Sequence, residues 1–165
     1  GITKASSLLL VAEKENLFSS FSTGLPYIEP SRDDPHGGEI GLQGTRPAEV
    51  LKLWLGLRQL GEVGIEKLLV DSLERRRYLE KRLDSSKLDV ITGPFHLLAC
   101  CPKNGDLTKR EKWSVKTRQL LLHKKLMLSR PFHHGSYYLK AVLGNPNTQT
   151  SHLDLLASLL NKSTD

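Results

Sequence analysis

A polar turn directly ahead of an apolar helix is the stretch of the sequence best suited to bind a ligand. The turn contains Gln43, Gly44, Thr45 and Arg46, and Pro47 follows at the predicted first turn of the helix. Glycine lets the backbone approach a ligand closely, and free N–H groups at a helix N-terminus favour phosphate or carboxylate. A capped helix with a surface arginine is the simpler interpretation, and the turn alone does not exclude it.

A lysine in a late predicted strand is the second candidate. Lys140 lies in the sequence SYYLKAVLG, where Tyr138, Lys140 and Val142 share one face of the strand. A solvated lysine often protects the edge of a sheet, and this is one interpretation of the position.

The histidines and cysteines do not suggest a metal site. His133 and His134 are adjacent, so on a strand they point to opposite faces and cannot share one ion. His36 lies in a glycine-rich loop, where we expect exposure to solvent. Cys100 and Cys101 are neighbours in an apolar run, which indicates buried thiols rather than a disulfide framework or a CxxC motif.

The first half of the chain predicts two long helices after a loop. Residues 4–12 have the pattern of a buried strand, and residues 13–21 that of a short helix. A long glycine- and proline-rich loop covers residues 22–44. The 3.6-residue period then predicts a helix over 47–60, ended by Gly61, and a second helix over 62–83.

The second half predicts a small α+β domain. Strands are expected at 87–92, 95–102, 130–135 and 136–144. A helix is expected at 107–128, with a capping box of Thr108 and Glu111. A closing helix is expected at 150–162, with Thr150 or Ser151 as its cap. This order favours helices on one face of an antiparallel sheet. The predicted core is Val90, Leu98, Trp113, Leu120, Tyr138, Val142, Leu156 and Leu160.

Composition limits the function classes. Hydrophobic residues make up 38% and charged residues 25% of the 165 residues, which is typical of a globular protein. We see no run long enough to span a membrane and no secretory signal, so we expect a cytoplasmic protein. The formal net charge of +6 permits nucleic-acid binding, but acids are interspersed among the basic residues, and we disfavour that function.

Three stretches, in one order along the chain, resemble the C-terminal third of group II pyridoxal-phosphate-dependent amino-acid decarboxylases. GITKASSLLLVAE is similar to the segment that follows the cofactor lysine of the family. LQGTRPAEVLKLWLGLRQLGEVGIE is similar to its LQxxR(x)5KLW turn and helix, and YYLKAVLGNPNT to its late strand. The second of these matches is the most specific.

The resemblance implies an α/β fold: a fragment of a fold type I enzyme. Residues 1–84 would be the end of the large cofactor-binding domain with a linking helix, and 85–165 the small α+β C-terminal domain. Such enzymes are homodimers whose two sites lie at the subunit interface. By resemblance, Gly44 and Thr45 would help bind the substrate there, and Gln43 and Arg46 would belong to the turn that reaches the cofactor or the interface.

The resemblance also implies pyridoxal 5'-phosphate as cofactor, held by a lysine upstream of Gly1. Lys4 aligns beyond that lysine, so we do not assign the Schiff base to it, and we expect the fragment alone to be inactive. Lys140 stands where relatives commonly carry an arginine that binds the substrate carboxylate. Lysine keeps the charge but lacks the planar fork that binds a carboxylate through two parallel bonds.

We therefore expect the C-terminal portion of a carboxy-lyase that releases CO2 from an L-amino acid. One alternative is a truncated, non-catalytic paralogue that acts as an interaction module. A basic nucleic-acid-binding domain is a third, and it rests on charge alone. Neither the turn nor Lys140 chooses between acidic, aromatic and diamino substrates.

Overall fold

The structure is a computed structural model that describes residues 9–21 and 47–164. The first described segment contains helix α1, Glu15–Phe21, which confirms the helix predicted at 13–21. Residues 9–12 form no strand, and the Leu9 and Leu10 side chains are exposed. The strand predicted over 4–12 is therefore wrong where the structure describes it. The loop predicted at 22–44, with His36, lies outside the described residues.

Helix α2, Glu49–Glu80, contains a break at a glycine. Gly61 has a φ of 64° and a ψ of −179°, values that essentially only glycine adopts without strain. The predicted interruption at Gly61 is confirmed. The helix begins at Glu49, two residues after the predicted start at Pro47.

Three antiparallel strands form the main sheet, in the order β1-β2-β5. They are β1, Leu88–Thr92, β2, Leu97–Pro102, and β5, Leu139–Val142. Two short strands, β3, Phe132–His133, and β4, Ser136–Tyr137, pair with each other as a separate hairpin. The antiparallel sheet was predicted, whereas the division of 136–144 into β4 and β5 was not.

Two helices complete this part of the molecule. They are α3, Leu107–His123, and α4, Thr150–Lys162. The predicted capping residues are wrong at both. Asp106 caps α3 by accepting a 2.8 Å hydrogen bond from the Lys109 backbone N–H, and Gln149 precedes α4 in a capping box with His152. In each case the chain supplied a suitable polar side chain just ahead of the predicted cap.

The core combines side chains of the sheet, mostly from the face that carries Leu98, Cys100 and Leu139, with side chains of α2, α3 and α4. Five of the eight predicted core residues are buried: Leu98, Trp113, Tyr138, Leu156 and Leu160. Val90 is half-buried against them. The prediction is wrong for Leu120 and Val142, which are 42% and 57% exposed. Leu121 takes the inward position on α3 instead of Leu120, and the outward turn of Val142 follows from the alternation of strand β5.

The chain divides into two compact units between Gln59 and Leu60. Leu79 and Leu83, at and beyond the end of α2, are part of the core of the C-terminal unit. That unit therefore begins ahead of the boundary we predicted at residues 84 and 85, and the division of a whole enzyme into large and small domains stays a prediction. Among the described residues, no helix is both long and apolar enough to cross a membrane.

Candidate functional site

Lys140 lies in the middle of β5 with paired backbone on both sides. On one side it is opposite Ala99 of β2. On the other it forms a bridge with Ser129, in which its N–H donates to the Ser129 carbonyl at 2.8 Å and its carbonyl accepts from the Ser129 N–H at 3.1 Å. A lysine that protects a sheet edge needs an unpaired edge beside it. The backbone of Lys140 has none, so the edge-protecting interpretation is wrong.

The half-buried Lys140 side chain contributes to the wall of a cavity of about 390 Å³. This volume is within the range of small-molecule sites. The cavity lies on the sheet face that carries Lys140 and Ala99, opposite the face that Leu139 and Ala141 bury in the core. The other lining residues are mainly apolar: Ile91, Thr92, Gly93, Leu97, Leu98, Pro131, Phe132, His133 and Tyr138.

Lys140 is the one Lys or Arg side chain in this lining. Arg110, which lies nearby in the fold, donates to the Asp89 carboxylate at 3.1 Å and to the Ser136 hydroxyl at 3.3 Å. Arg130 donates to the Ser114 hydroxyl at 2.7 Å and to Glu111 at 3.2 Å. Among the described residues, no carboxylate forms an ion pair with the Lys140 ammonium. Its charge is therefore available to an anionic ligand.

A buried tyrosine and thiol lie on the same sheet face, beside the cavity. The Tyr138 and Cys101 side chains are both buried and lie close enough to influence each other's pKa. Burial raises the pKa of Cys101, an effect that the positive charge of Arg110 partly opposes. Burial also raises the pKa of Tyr138, and the neighbouring Cys101 adds to this. With the pKa of each group raised, neither adds a charge beside the cavity at pH 7.

Sequence reasoning missed this pair because Cys101 and Tyr138 are far apart along the chain. The only available signal was the strand alternation, which places Cys101 on the same face as Ala99. The cysteines were predicted as buried thiols, and both are buried and free.

The two adjacent histidines do not point apart as predicted. The His133 and His134 ring centroids are 3.9 Å from each other. His134 has a φ of 45° and lies in the turn after β3, so the alternation of a strand no longer applies to it. Within residues 9–21 and 47–164, no three His, Cys, Asp or Glu side chains are grouped to hold a metal ion.

The predicted turn of Gln43, Gly44, Thr45 and Arg46 lies outside the described residues. Its role at a cofactor site or an interface stays a prediction. Lys140 is thus the only predicted site residue that the structure places.

The side chains of the cavity lining can be compared with the groups that pyridoxal 5'-phosphate requires. The phosphate of this cofactor needs several N–H donors, and its pyridine nitrogen needs a carboxylate. The cavity lining contains one lysine and no carboxylate side chain. This lining alone therefore does not fit the cofactor, and it fits a single carboxylate better.

Comparison with solved structures shows which fold this is. Mouse CSAD matches with a TM-score of 0.70 at 17% sequence identity, over 93% of this chain and 35% of that chain. Oryza sativa TDC, in a structure with PLP and tryptamine, matches with a TM-score of 0.68 at 14% identity, over 79% of this chain and 29% of that chain. The chain has the fold of part of a pyridoxal-phosphate-dependent decarboxylase.

A third match carries an amino acid. Catharanthus roseus tryptophan decarboxylase in complex with L-tryptophan matches with a TM-score of 0.64 at 22% identity, over 77% of this chain and 28% of that chain. This chain thus spans about a third or less of these proteins, at 35%, 29% and 28% of their lengths. No family model matches the sequence. The likeness shows the α/β fold, and function has to be argued from the site.

Proposed function

We propose that this chain is part of a pyridoxal-phosphate-dependent amino-acid decarboxylase and supplies a wall of its substrate site. The observation that carries the proposal is the Lys140 ammonium, which has no ion-pair partner among residues 9–21 and 47–164, in the wall of a mainly apolar cavity of about 390 Å³. The fold, shared in part with decarboxylases, supports it. The activity is that of a carboxy-lyase in amino-acid metabolism, which releases CO2 from an L-amino acid.

In this proposal Lys140 holds the substrate carboxylate. The ammonium is a compact charge with three donors, so it attracts a carboxylate without fixing its plane as an arginine fork does. The apolar lining around it lowers the local dielectric and strengthens the attraction. The cofactor, bound by a lysine upstream of Gly1, would supply the electron sink for loss of CO2.

The assembly we propose is a homodimer in the cytoplasm. The turn of Gln43, Gly44, Thr45 and Arg46 would reach the site of the partner subunit. Apolar side chains exposed on the first half of α2 support association, because they are more than 40% exposed: Val50, Leu51, Trp54, Leu55 and Leu57.

The test is the kinetics of two Lys140 variants in the whole protein that carries the cofactor lysine. Lys140→Met removes the charge that pairs with a carboxylate in a partly dry site, which costs about 1.5–3 kcal/mol. We expect kcat/KM to fall by about ten- to a hundredfold with the cofactor absorbance intact. Lys140→Arg should retain or increase activity, because it restores two parallel donors.

Lys116→Met provides the matched control. Lys116 is exposed on α3 and lies outside the cavity lining, so its substitution should leave kcat/KM within about twofold. A Lys140→Met enzyme that also stays within twofold of the parent would eliminate the carboxylate role.

A non-catalytic interaction module is the second candidate, and the exposed apolar side chains of α2 favour it. It predicts no CO2 release from any amino acid and no cofactor absorbance in the whole protein. It also predicts concentration-dependent association that a charged substitution at Trp54 abolishes. Decarboxylation of any L-amino acid by the whole protein would reject it.

A further inference from the structure

The cavity beside Lys140 has one charged lining side chain and a largely apolar surface. The described lining contains no second lysine or arginine and no carboxylate. Arg110 and Arg130 lie outside this lining and form ion pairs with Asp89 and Glu111. Besides Lys140, the polar side chains of the lining are Thr92, His133 and Tyr138. If Lys140 holds the α-carboxylate, the described lining has no second lysine or arginine for an acidic side chain and no carboxylate for a basic one.

The strand register places an isoleucine across the sheet from Lys140. Ile91 of β1 is opposite Ala99 of β2, and Ala99 is opposite Lys140 of β5. Directly opposed residues of antiparallel strands project to the same face, so these three side chains form one row. Neighbouring strands are separated by about 4.8 Å, which places the ends of the row roughly 10 Å apart. An amino acid bound through its carboxylate at Lys140 can extend its side chain along this row.

We infer that the cavity selects amino acids with apolar or aromatic side chains over acidic and diamino ones, and that Ile91 is a specificity-determining residue. This inference rests on the proposed function of the site. An acidic substrate would place its second carboxylate where the described lining offers no lysine or arginine, and a diamino substrate would place its second ammonium where that lining offers no carboxylate. A buried charge without a partner is far more costly than an apolar group in the same place. An aromatic side chain instead gains contact with Ile91, Leu97 and Phe132.

The test compares kcat/KM for different substrates and then adds a positive charge at position 91. In the whole protein, kcat/KM for L-phenylalanine or L-tryptophan should exceed that for L-glutamate by at least tenfold. Ile91→Arg adds a cation at the far end of the row, and it should reduce this ratio by about tenfold. Ile91 is 39% exposed, so the long arginine side chain has room without entering the core.

Val142→Arg is the matched control. Val142 lies on the same sheet face, two residues beyond Lys140, but outside the lining of this cavity, and it is 57% exposed. It should leave the ratio unchanged. A parent enzyme that prefers L-glutamate or L-2,4-diaminobutyrate would overturn the inference while the proposed function stands, and so would an equal shift in Val142→Arg.

A binding measurement separates failure of the inference from failure of the proposed function. If no amino acid is decarboxylated, the proposed function is refuted, and selectivity is read from the 165-residue chain alone. L-phenylalanine should then shift the Ile91 methyl NMR signals at a lower concentration than L-glutamate does. Absence of any shift, or a preference for L-glutamate, would overturn the inference.

Discussion

The two faces of strand β5 differ in what surrounds them, although their residues alternate along four positions. Leu139 and Ala141 are buried against β2 and the helices. Lys140 is half-buried in the cavity wall, and Val142 is largely exposed. The inner face packs in the core, whereas the outer face carries Lys140 in the cavity wall, so the inner face should contribute more to stability. Substitutions on the two faces should therefore have separable effects.

The largest expected effect is on the inner face. Leu139 is fully buried, so Leu139→Ala should lower the free energy of unfolding by about 2–5 kcal/mol through lost burial and a cavity. Lys140→Ala, one residue away, should change it by less than about 0.5–1 kcal/mol. Urea denaturation of the two variants measures this contrast. Similar losses in both would show that the two faces are not distinct.

The second effect is a pH dependence of the free energy of unfolding. It comes from Cys100 of β2, which is opposite Leu139 and so lies on the inner face of the sheet. Burial raises the pKa of the Cys100 thiol from 9.0 to about 12. Above pH 9 the unfolded chain releases this proton while the folded chain keeps it, so stability is present below pH 9 and falls as the pH rises toward 12. The slope contributed by one such thiol is about 1.4 kcal/mol per pH unit.

Denaturation at pH 8 and pH 10 in the parent and in Cys100→Ala measures this slope. Cys100→Ala should be less stable than the parent at both pH values. Its free energy of unfolding should, however, fall between pH 8 and pH 10 by about 1.4 kcal/mol less than that of the parent. Equal losses in the two proteins would mean that the Cys100 thiol is not held neutral by the core.

The smallest effect concerns the outer face, where the buried Tyr138 hydroxyl lies close to the buried Cys101 thiol. Tyr138→Phe should lower the free energy of unfolding by about 0.5–1.5 kcal/mol, because the thiol loses a polar neighbour in a buried environment. The neighbouring Tyr137 contacts Phe132 and Arg130 through its ring. Tyr137→Phe keeps those ring contacts and should be close to neutral. Thermal unfolding that ranks the two tyrosines in the opposite order would contradict this role of the hydroxyl.

Local patterns predicted much of the fold because they report on local physics. Strand alternation correctly placed Tyr138, Lys140 and Val142 on one face, and Gly61 was correctly predicted to interrupt its helix. Alternation does not say which face is inner. We placed Val142 in the core for this reason, although Tyr138 on the same face is buried by its local surroundings.

The cavity could not be predicted, because it depends on pairings between distant parts of the chain. The three consecutive leucines of α3 show the same limit, since only the orientation of the helix decides that Leu121 is inward and Leu120 outward. The bridge between Ser129 and Lys140 has no signature in either residue, and it is what rejects the edge-protecting interpretation. The resemblance identified Lys140 as a candidate, and the sheet register shows what surrounds it.

The pairing of β5 with β2, together with the Ser129 bridge to Lys140, also affects how this segment tolerates insertions and deletions. A shift of β5 by one residue would move Lys140 and Val142 to the inner face and expose Leu139 and Ala141. The Ser129 bridge, the pairing with β2 and the 3.0 Å bond from the Leu143 N–H to the His96 carbonyl all oppose that shift. A length change within β5 would thus displace Leu139 and Ala141 from the core and Lys140 from the cavity wall together. The packing that holds β5 in the fold therefore also fixes the position of Lys140.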